Sequence, residues 1–197
     1  MATDPMKSGY KTDGGNVVSP KARASFVNIF RPGKTLEPGQ EPKYSITLLF
    51  PKDADLALLK KMAQEALAEK FGEAKLKDPA FQKRLRSPFR DQGEKAFEGY
   101  EAGAIFVTAT SKQRPGIVDG RGGDVIEERE VYSGCYVRAS LRAFAYDQKG
   151  NVGVAFGLQN VQKLADGDPL GGRARPEAEF VPVEEEAATE GAGGLFD

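Results

Sequence analysis

The chain has 197 residues, 40% hydrophobic and 29% charged, enough for one domain with a hydrophobic core and extensions. It has no histidine and one cysteine, which excludes an intrachain disulfide, the usual Cys/His zinc site and nucleophile pairs that need histidine. The first 175 residues contain all 28 lysines and arginines and 22 of the 29 acids, a net charge of +6, whereas residues 176–197 carry seven acids and no base. A basic body therefore precedes an acidic tail.

Nothing in the sequence directs the chain to a membrane or out of the cell. No run reaches the roughly eighteen apolar residues that a membrane-spanning helix needs, and residues 1–16 lack the apolar core of a signal peptide. Cys135 lies on the small apolar face of a predicted strand, which favours a core thiol over a reactive one. We therefore expect a protein of the cytoplasm with no membrane partner.

The first part of the chain predicts a flexible segment followed by two strands. Residues 1–20 are polar and rich in glycine, and we expect them to be flexible. ARASFVNIF (22–30) and KYSITLLF (43–50) are rich in β-branched and aromatic residues and end at turn-forming prolines. They are the first two strands of a domain that we assign to residues 21–165.

Two helices are predicted between the second and third strands. The first begins at Asp53, as its cap, and ends at Gly72; its apolar residues form one stripe, typical of a helix that packs on a core. The second begins at Asp78 with a proline in its first turn. It carries a basic cluster that is either a phosphate-contacting patch or a solvated face. The cluster consists of Lys83, Arg84 and Arg86.

Three more strands complete the predicted sheet. GAIFVTATS (103–111) is the third, and a Gly-rich basic loop follows it. CYVRASLRAFAY (135–146) and VGVAFGLQNV (152–161) are joined by the turn DQKGN, which predicts a β-hairpin. Five strands with one or two inserted helices predict a mainly β, α+β domain. The five-stranded OB-fold barrel is the commonest fold of that kind, and it binds single strands across its face and loops.

The strand 135–146 has two unlike faces, because successive residues of a strand point to opposite sides. Its odd-numbered residues are apolar and mostly small, whereas its even-numbered residues mix aromatic rings with arginines. Rings stack on unpaired bases at roughly 1–3 kcal/mol per base, and guanidinium groups between them reach phosphates. The alternative is an amphipathic strand whose outer rings make cross-strand pairs. The predicted DNA-binding residues are Tyr136, Arg138, Arg142, Phe144 and Tyr146, with Lys112, Arg114 and Arg121 on the Gly-rich loop.

Residues 166–197 are predicted to be a linker and a disordered acidic tail, because EEEAATEGAGGLFD cannot bury enough apolar surface to fold. The tail nevertheless ends in a bulky apolar pair, which predicts docking on a partner protein: the ring enters a pocket while the carboxylates meet basic residues. The tail could also lie over the basic surface of its own chain and compete with nucleic acid. The predicted partner-binding residues are Glu184, Glu185, Glu186, Leu195, Phe196 and Asp197.

One group of acids raises the alternative of a metal-dependent nuclease, which needs converging carboxylates. The group is Asp124, Glu127, Glu128 and Glu130. These residues lie close together in sequence and are interleaved with Arg129, so they would not all point one way. We therefore expect no catalysis, no metal and no cofactor. A nuclease, an RNA-binding protein and a protein-interaction module are the alternatives to a binder of single-stranded DNA.

The segment YSGCYVRASLRAFAYDQKGNVGVAFGLQNVQKLADGDPLGG (132–172) resembles a recurrent block of a bacteriophage family first catalogued as a domain of unknown function. The likeness extends upstream through ARASFVNIF, YSITLLFPK and PGIVDG. Members of this family are single-stranded DNA-binding proteins with an OB-fold. The resemblance implies that the chain binds and protects single-stranded DNA during phage replication or recombination, in the cytoplasm of an infected bacterium.

The acidic tail is also similar to the tails of bacterial and phage single-strand binders, in which acids precede a terminal phenylalanine. In those proteins the tail recruits replication enzymes, so the resemblance implies phage or host replication and recombination proteins as partners. Here Asp197 follows Phe196, and glycines directly precede Leu195. A homodimer is left open.

Overall fold

The computed structural model describes residues 6–34 and 39–171. Its strands and helices are, in chain order, β1 (Tyr10–Lys11), β2 (Val17–Val18), β3 (Ala22–Asn28), β4 (Tyr44–Leu49), α1 (Ala57–Phe71), α2 (Glu73–Leu76), α3 (Pro79–Arg84), β5 (Leu85–Arg86), β6 (Arg90–Asp91), β7 (Ile105–Ser111), β8 (Gly116–Val118), β9 (Tyr136–Gln148) and β10 (Asn151–Ala165). Short 3-10 helices occupy Gln92–Glu94 and Glu128–Glu130. Within these described ranges, no helix is long and apolar enough to cross a membrane.

Five strands close into a barrel. Strand β3 pairs with β4, β4 with β7, β7 with β10, β10 with β9, and β9 returns to β3. Every pairing in this ring is antiparallel except that of β7 with β10. The five barrel strands are the five that the sequence predicts, and the OB-fold is such a small five-stranded barrel. The predicted fold class is confirmed.

Small and branched apolar side chains fill the barrel. On β9 the odd-numbered Val137, Ala139 and Leu141 have no exposed surface, and Cys135, directly before the strand, is equally buried. Phe156 of β10 is also fully buried in the same core. The predicted inward face of β9 is therefore confirmed, and Cys135 is a core thiol.

Helix α1 covers the barrel beside β9 and ends where the sequence predicts, at Gly72, whose φ of 77° is accessible to glycine without strain. Its start differs from the prediction. Asp55, rather than Asp53, accepts a hydrogen bond from the backbone N–H of Ala57 (2.9 Å). Asp53 instead pairs with Lys7 at 2.5 Å, because the N-terminal segment passes close to it.

Helix α3 is followed directly by the short strand β5, which lies beside β10. Asp78 caps the helix as predicted, accepting a hydrogen bond from the backbone N–H of Ala80 (2.9 Å). Arg84, at the end of the helix, donates to the carbonyl oxygen of Gly150 in the β9–β10 turn (3.0 Å). Strand β5 then pairs in parallel with the start of β10. The predicted basic cluster is thereby fixed next to the hairpin.

The described part of the predicted flexible stretch 1–20 contains two short strands. Val17 and Val18 form β2, which pairs with Leu141 and Ser140 of β9, and both valines are buried. Strand β1 adds to β2 as a second short strand. Two consecutive β-branched residues have a strong strand preference and gain from burial, which explains why this part of the segment is ordered.

Candidate nucleic-acid interface

The structure places the predicted row on the outer face of β9, but the first half of that row contacts other parts of the protein. Lys21 Nζ lies 5.3 Å from the ring centre of Tyr136. Arg138 donates from Nε to Gln162 Oε1 (2.8 Å), and its guanidinium lies 5.5 Å from the ring centre of Tyr10. The β1–β2 hairpin and the end of β10 thus engage this half of the row.

The second half of the row is open. Arg142 is exposed, and Phe144 has 48% of its surface exposed. Tyr146 is half-buried because its ring lies over Gly153 of β10. Strand β5 continues this surface with Arg86, the register partner of Gly153. We call this region the hairpin face, and it comprises Arg142, Phe144 and Tyr146 of β9, Lys149 of the turn, and Lys83, Arg84 and Arg86 of α3 and β5.

The three predicted basic residues of the Gly-rich loop lie in different surroundings. Lys112 pairs with Glu41 at 2.6 Å, and the hydrogen bond from Lys112 holds the pKa of Glu41 below its usual value. Arg114 lies 5.6 Å from the ring centre of Phe30. Arg121 sits in a tight turn, in which its backbone N–H donates to Asp119 Oδ1 (2.8 Å). Each of the three therefore has different neighbours.

A row of four aromatic rings lies over β3, β4 and β7, and sequence reasoning missed it. The ring centres follow one another at 5.3 Å from Phe26 to Phe97, 5.5 Å from Phe97 to Tyr100, and 6.0 Å from Tyr100 to Phe106, all edge to face. Phe26 and Phe97 are 52% and 49% exposed, whereas Phe106 is buried. We call these four residues the ring row. Its outer rings offer exposed faces and edges to a ligand.

Phe26 and Tyr100 of the ring row are each held by local structure. Phe26 has a φ of 46° at an irregularity in the β3–β4 pairing, and such a bulge re-aims a side chain away from the strand alternation. Tyr100 donates from its hydroxyl to Ser25 Oγ (3.1 Å). Partial burial raises the pKa of Tyr100, so this hydroxyl stays protonated and available as a donor.

The loop that carries Phe97 and Tyr100 is pinned by two polar residues. Buried Gln92 donates from Nε2 to the carbonyl oxygens of Phe50 and Ile105 (both 2.9 Å) and accepts from the backbone N–H of Glu101 (3.0 Å). Asp91 Oδ1 accepts from two backbone N–H groups, of Gly103 and Gly93, which hold the pKa of Asp91 below its usual value. The loop therefore presents its rings from a fixed backbone.

A polar cleft continues the same face towards the β9–β10 turn. Its volume is about 790 Å³. Between the cleft and the ring row, the hydroxyls of Thr47 and Thr108 are 3.0 Å apart on the outer surface of β4 and β7. We call the ring row and this cleft together the groove. The cleft is lined by Asn28, Ser45, Thr110, Lys34, Lys43, Lys112 and Gln148, among others.

Several cations along the groove have carboxylate partners. Besides the pair of Lys112 and Glu41, Lys52 pairs with Glu101 at 2.8 Å, and Arg90 pairs with Glu94 at 2.5 Å. The guanidinium of Arg90 also lies 5.3 Å from the ring centre of Phe106. The positive charge of these side chains is thus partly balanced in the protein itself.

The acids considered for a nuclease do not converge. Glu127 pairs with Arg129 at 2.5 Å, and Glu128 pairs with Arg31 at 3.4 Å. In the part of the chain that the structure describes, no three His, Cys, Asp or Glu side chains form a group that could hold a metal ion. The predicted tail residues lie outside the described residues: Glu184, Glu185, Glu186, Leu195, Phe196 and Asp197.

Comparison with known proteins identifies the family. A family model described as "Enterobacter phage Enc34, ssDNA-binding protein" matches residues 15–191. The chain belongs to this family. It is also 30% identical over 156 residues, 76% of this chain and 83% of the relative, to "Putative protein p50" of Acyrthosiphon pisum secondary endosymbiont phage 1. The resemblance that the sequence indicates is therefore confirmed.

Solved structures extend the likeness to the fold. The single-stranded DNA-binding protein of bacteriophage Enc34 in complex with ssDNA has a TM-score of 0.66 and 25% identity, over 86% of this chain and 97% of that chain. The same phage protein in another structure has a TM-score of 0.63 and 25% identity, over 90% and 97%. Gp2.5 of bacteriophage T7, a single-stranded DNA-binding protein, has a TM-score of 0.52 and 18% identity, over 86% and 97%; this likeness concerns the fold alone.

Proposed function

We propose that this protein binds single-stranded DNA, largely independently of sequence, with the groove as its main contact surface. The observation that carries the proposal is the ring row on the outer face of β3, β4 and β7 of a closed barrel. OB-folds bind oligonucleotides across this part of the barrel and its flanking loops. Membership of a family described by its ssDNA-binding protein, and the likeness to a relative solved with ssDNA, support the same function.

The chemistry of the groove suits unpaired bases. Every base has a π-face, so stacking on Phe26 and Phe97 tolerates any sequence, at roughly 1–3 kcal/mol per base. In a duplex those faces are already stacked on one another, so a single strand is favoured. Lys34, Lys43 and Lys112 at the cleft provide positive charge for the phosphates.

The predicted row on β9 contributes unequally in this proposal. Arg142 and Phe144 are exposed and available to DNA. Tyr136 and Arg138 contact Lys21, Gln162 and Tyr10, and would bind DNA only by leaving those partners. We therefore assign the larger share of DNA contact on β9 to the second half of the row.

The biological role that we propose is protection of single-stranded DNA during phage replication or recombination, without catalysis, in the cytoplasm of an infected bacterium. The acidic tail recruits replication or recombination proteins through its carboxylates and its apolar end. Support for this role comes from the family and from the composition of residues 176–197.

A fluorescence titration with oligo-dT, and with duplex of equal length, at two salt concentrations tests the function. We expect oligo-dT to bind more tightly and its log–log salt slope to be about −0.7 per phosphate neutralised. Equal affinity for duplex, or no binding of oligo-dT, would contradict the proposal. A matched oligo-rU separates DNA from RNA binding, magnesium-dependent cleavage of the probe would reveal a nuclease, and sedimentation of the same samples tests the homodimer.

Deletion of residues 176–197 tests the tail separately. DNA binding by the truncated chain should stay intact or become tighter, because seven negative charges are removed. An affinity column that carries the full chain should retain replication proteins, and a column that carries the truncated chain should not. Loss of DNA binding on truncation would show that the tail has a different role.

A further inference from the structure

The hairpin face carries cations that have no acidic partner among the residues that the structure describes. In the described residues, Arg142, Arg86, Lys83 and Lys149 are exposed and have no carboxylate within ion-pair distance. Strands β9 and β10 together contain one acid, Asp147, and strand alternation points it away from the face that carries Arg142. Uncompensated positive charge beside an exposed ring is the pattern of a phosphate- and base-contacting surface.

Strand register, rather than sequence proximity, brings Arg142, Tyr146 and Arg86 to one face, and Lys83 and Lys149 adjoin that face through their neighbours in the chain. Arg142 lies opposite Gly157, and Tyr146 lies opposite Gly153, across the β9–β10 pairing. Gly153 in turn lies opposite Arg86 of β5. Register partners point to the same side of a sheet. The basic end of the helical insertion and the outer face of the hairpin therefore form one surface.

Two glycines of β10, Gly153 and Gly157, differ in whether the surrounding structure leaves room for a side chain. A Cβ on Gly153 would lie 2.5 Å from the Tyr146 hydroxyl and 2.8 Å from the backbone oxygen of Arg86, so packing requires glycine there. A Cβ on Gly157 would meet nothing closer than 3.5 Å, and the φ of Gly157 is outside the left-handed region. The fold does not require glycine at 157. A strand glycine often marks a bulge, a bend or a place where a ligand or another backbone approaches closely. Gly157 itself pairs in regular register, and the irregularities of β10 lie beyond Leu158, which favours close approach of a ligand.

Gly157 lies where the groove meets the hairpin face. Ser45 and Thr110, which line the cleft, are register partners of β4 and β7. Thr110 is the partner of Gly157, and Gly157 is the partner of Arg142. These four positions form a continuous crossing of four neighbouring strands. At about 4.8 Å between neighbouring strands, the crossing spans about 14 Å.

We propose that a DNA strand bound in the groove crosses β10 at Gly157 and continues onto the hairpin face. There its phosphates meet Arg142, Arg86 and Lys83, and a base stacks on Phe144. This inference rests on the proposed function. It gives the bound DNA strand a second region of contact with the protein. A DNA strand long enough to reach the hairpin face therefore gains affinity that depends on charge.

An oligo-dT series from about 6 to about 20 nucleotides, a range that spans common OB-fold site sizes, tests this path. In the full chain we compare the triple variant Lys83→Ala, Arg86→Ala, Arg142→Ala with a control, Lys60→Ala, Lys61→Ala, Lys70→Ala, which removes three exposed lysines of α1. The hairpin variant should lose much more affinity for long oligonucleotides than for those too short to reach the hairpin face from the groove. Its salt slope for long ones should be smaller by about 2, from 0.7 per lost contact, and the control should match the wild type.

Gly157→Val tests the crossing itself. Valine favours strands more than glycine does, so the melting temperature should stay the same or rise. Binding of short oligonucleotides should persist, while the extra affinity for long ones should be lost. The path would be overturned if the two variants weakened binding equally at every oligonucleotide length, or if neither variant changed binding at any length. Failure of the wild type to bind short oligo-dT would instead overturn the proposed function.

A second strand could occupy the hairpin face in place of the same strand. In that case the hairpin variant would keep full affinity for one long oligonucleotide and would lose only the binding of a second oligonucleotide. Energy transfer between dyes attached to the two oligonucleotides measures this second binding. That result would also overturn the proposal.

Discussion

The groove and the hairpin face use the same ingredients, aromatic rings and cations, in different proportions. In the groove the rings support one another edge to face, and Lys112, Lys52 and Arg90 are paired with carboxylates. On the hairpin face one ring is exposed, and the cations have no such partners within residues 6–34 and 39–171. Stacking should therefore dominate the groove, and charge should dominate the hairpin face. Salt can separate the two, because it screens charge far more than it weakens stacking.

The largest expected effect comes from removing the exposed rings of the groove. Phe26→Gly with Phe97→Ala should weaken binding of a short oligo-dT by about 5- to 150-fold per stacked base, from roughly 1–3 kcal/mol each. Glycine is used at 26 because its φ of 46° suits glycine. The loss should be similar at low and high salt, as measured by fluorescence titration. Phe97→Tyr, which keeps the ring, should bind like the wild type, and a loss confined to low salt would contradict the stacking role.

The next effect concerns the stability of the hairpin face. Gly153→Ala should cost about 1–3 kcal/mol of unfolding free energy, since the Arg86 carbonyl as well as the Tyr146 ring must shift. In a protein of this size the melting temperature should fall by about 2–4 °C per kcal/mol. Gly157→Ala is the matched control and should be neutral or slightly stabilising. Equal losses for the two variants in a thermal melt would show that Gly157 is also a packing glycine.

A smaller effect separates the two halves of the β9 row. Arg142→Ala should weaken binding of long oligo-dT several-fold and reduce the salt slope by about 0.7. Arg138→Ala should leave the slope nearly unchanged but lower stability by about 0.5–1.5 kcal/mol, because it loses its hydrogen bond to Gln162. If Arg138→Ala changes the slope as much as Arg142→Ala does, the whole row contacts DNA as the sequence alone predicts.

The smallest effect comes from freeing a paired cation in the groove. Glu41→Gln releases Lys112 and should tighten binding about two- to fivefold, with a steeper salt slope. The lowered pKa of Glu41 means that the pair persists above that pKa and is lost as the pH falls through it. The difference between variant and wild type, followed by titration across pH, should therefore disappear in acid. A difference independent of pH would point to another cause.

The barrel could be predicted because strand alternation is a local signal. The inward residues of β9, from Val137 to Leu141, follow a period of two that burial confirms. Helix α1 and the cap of α3 at Asp78 follow equally local rules. The hairpin turn with its glycine marks the β9–β10 pairing in the same way. These features depend on neighbours in the chain, which the sequence displays.

The ring row could not be predicted, because no periodicity connects its members. Phe97 and Tyr100 lie in a loop whose position depends on the hydrogen bonds of Gln92, and Phe26 leaves the alternation of β3 through a bulge. The alternation of residues along β9 also does not reveal which of its side chains already contact other parts of the protein. Arg138 and Arg142 are equivalent in sequence, and only the long-range contacts with Gln162 and Tyr10 distinguish them.

Closure of the barrel also has a consequence for crowding. A protein that binds one long DNA strand in many copies holds those copies side by side at high local concentration, where exposed sheet edges promote aggregation. Here β3, β4, β7, β9 and β10 each pair on both sides over at least part of their length, and the strands that end the sheet, β1 and β5, are two residues long. Beyond Leu141, however, β9 pairs with β10 alone among the described residues. The two-residue ends of the sheet offer little backbone for another chain to pair with, so a neighbouring copy would find its main pairing edge at residues 142–148 of β9.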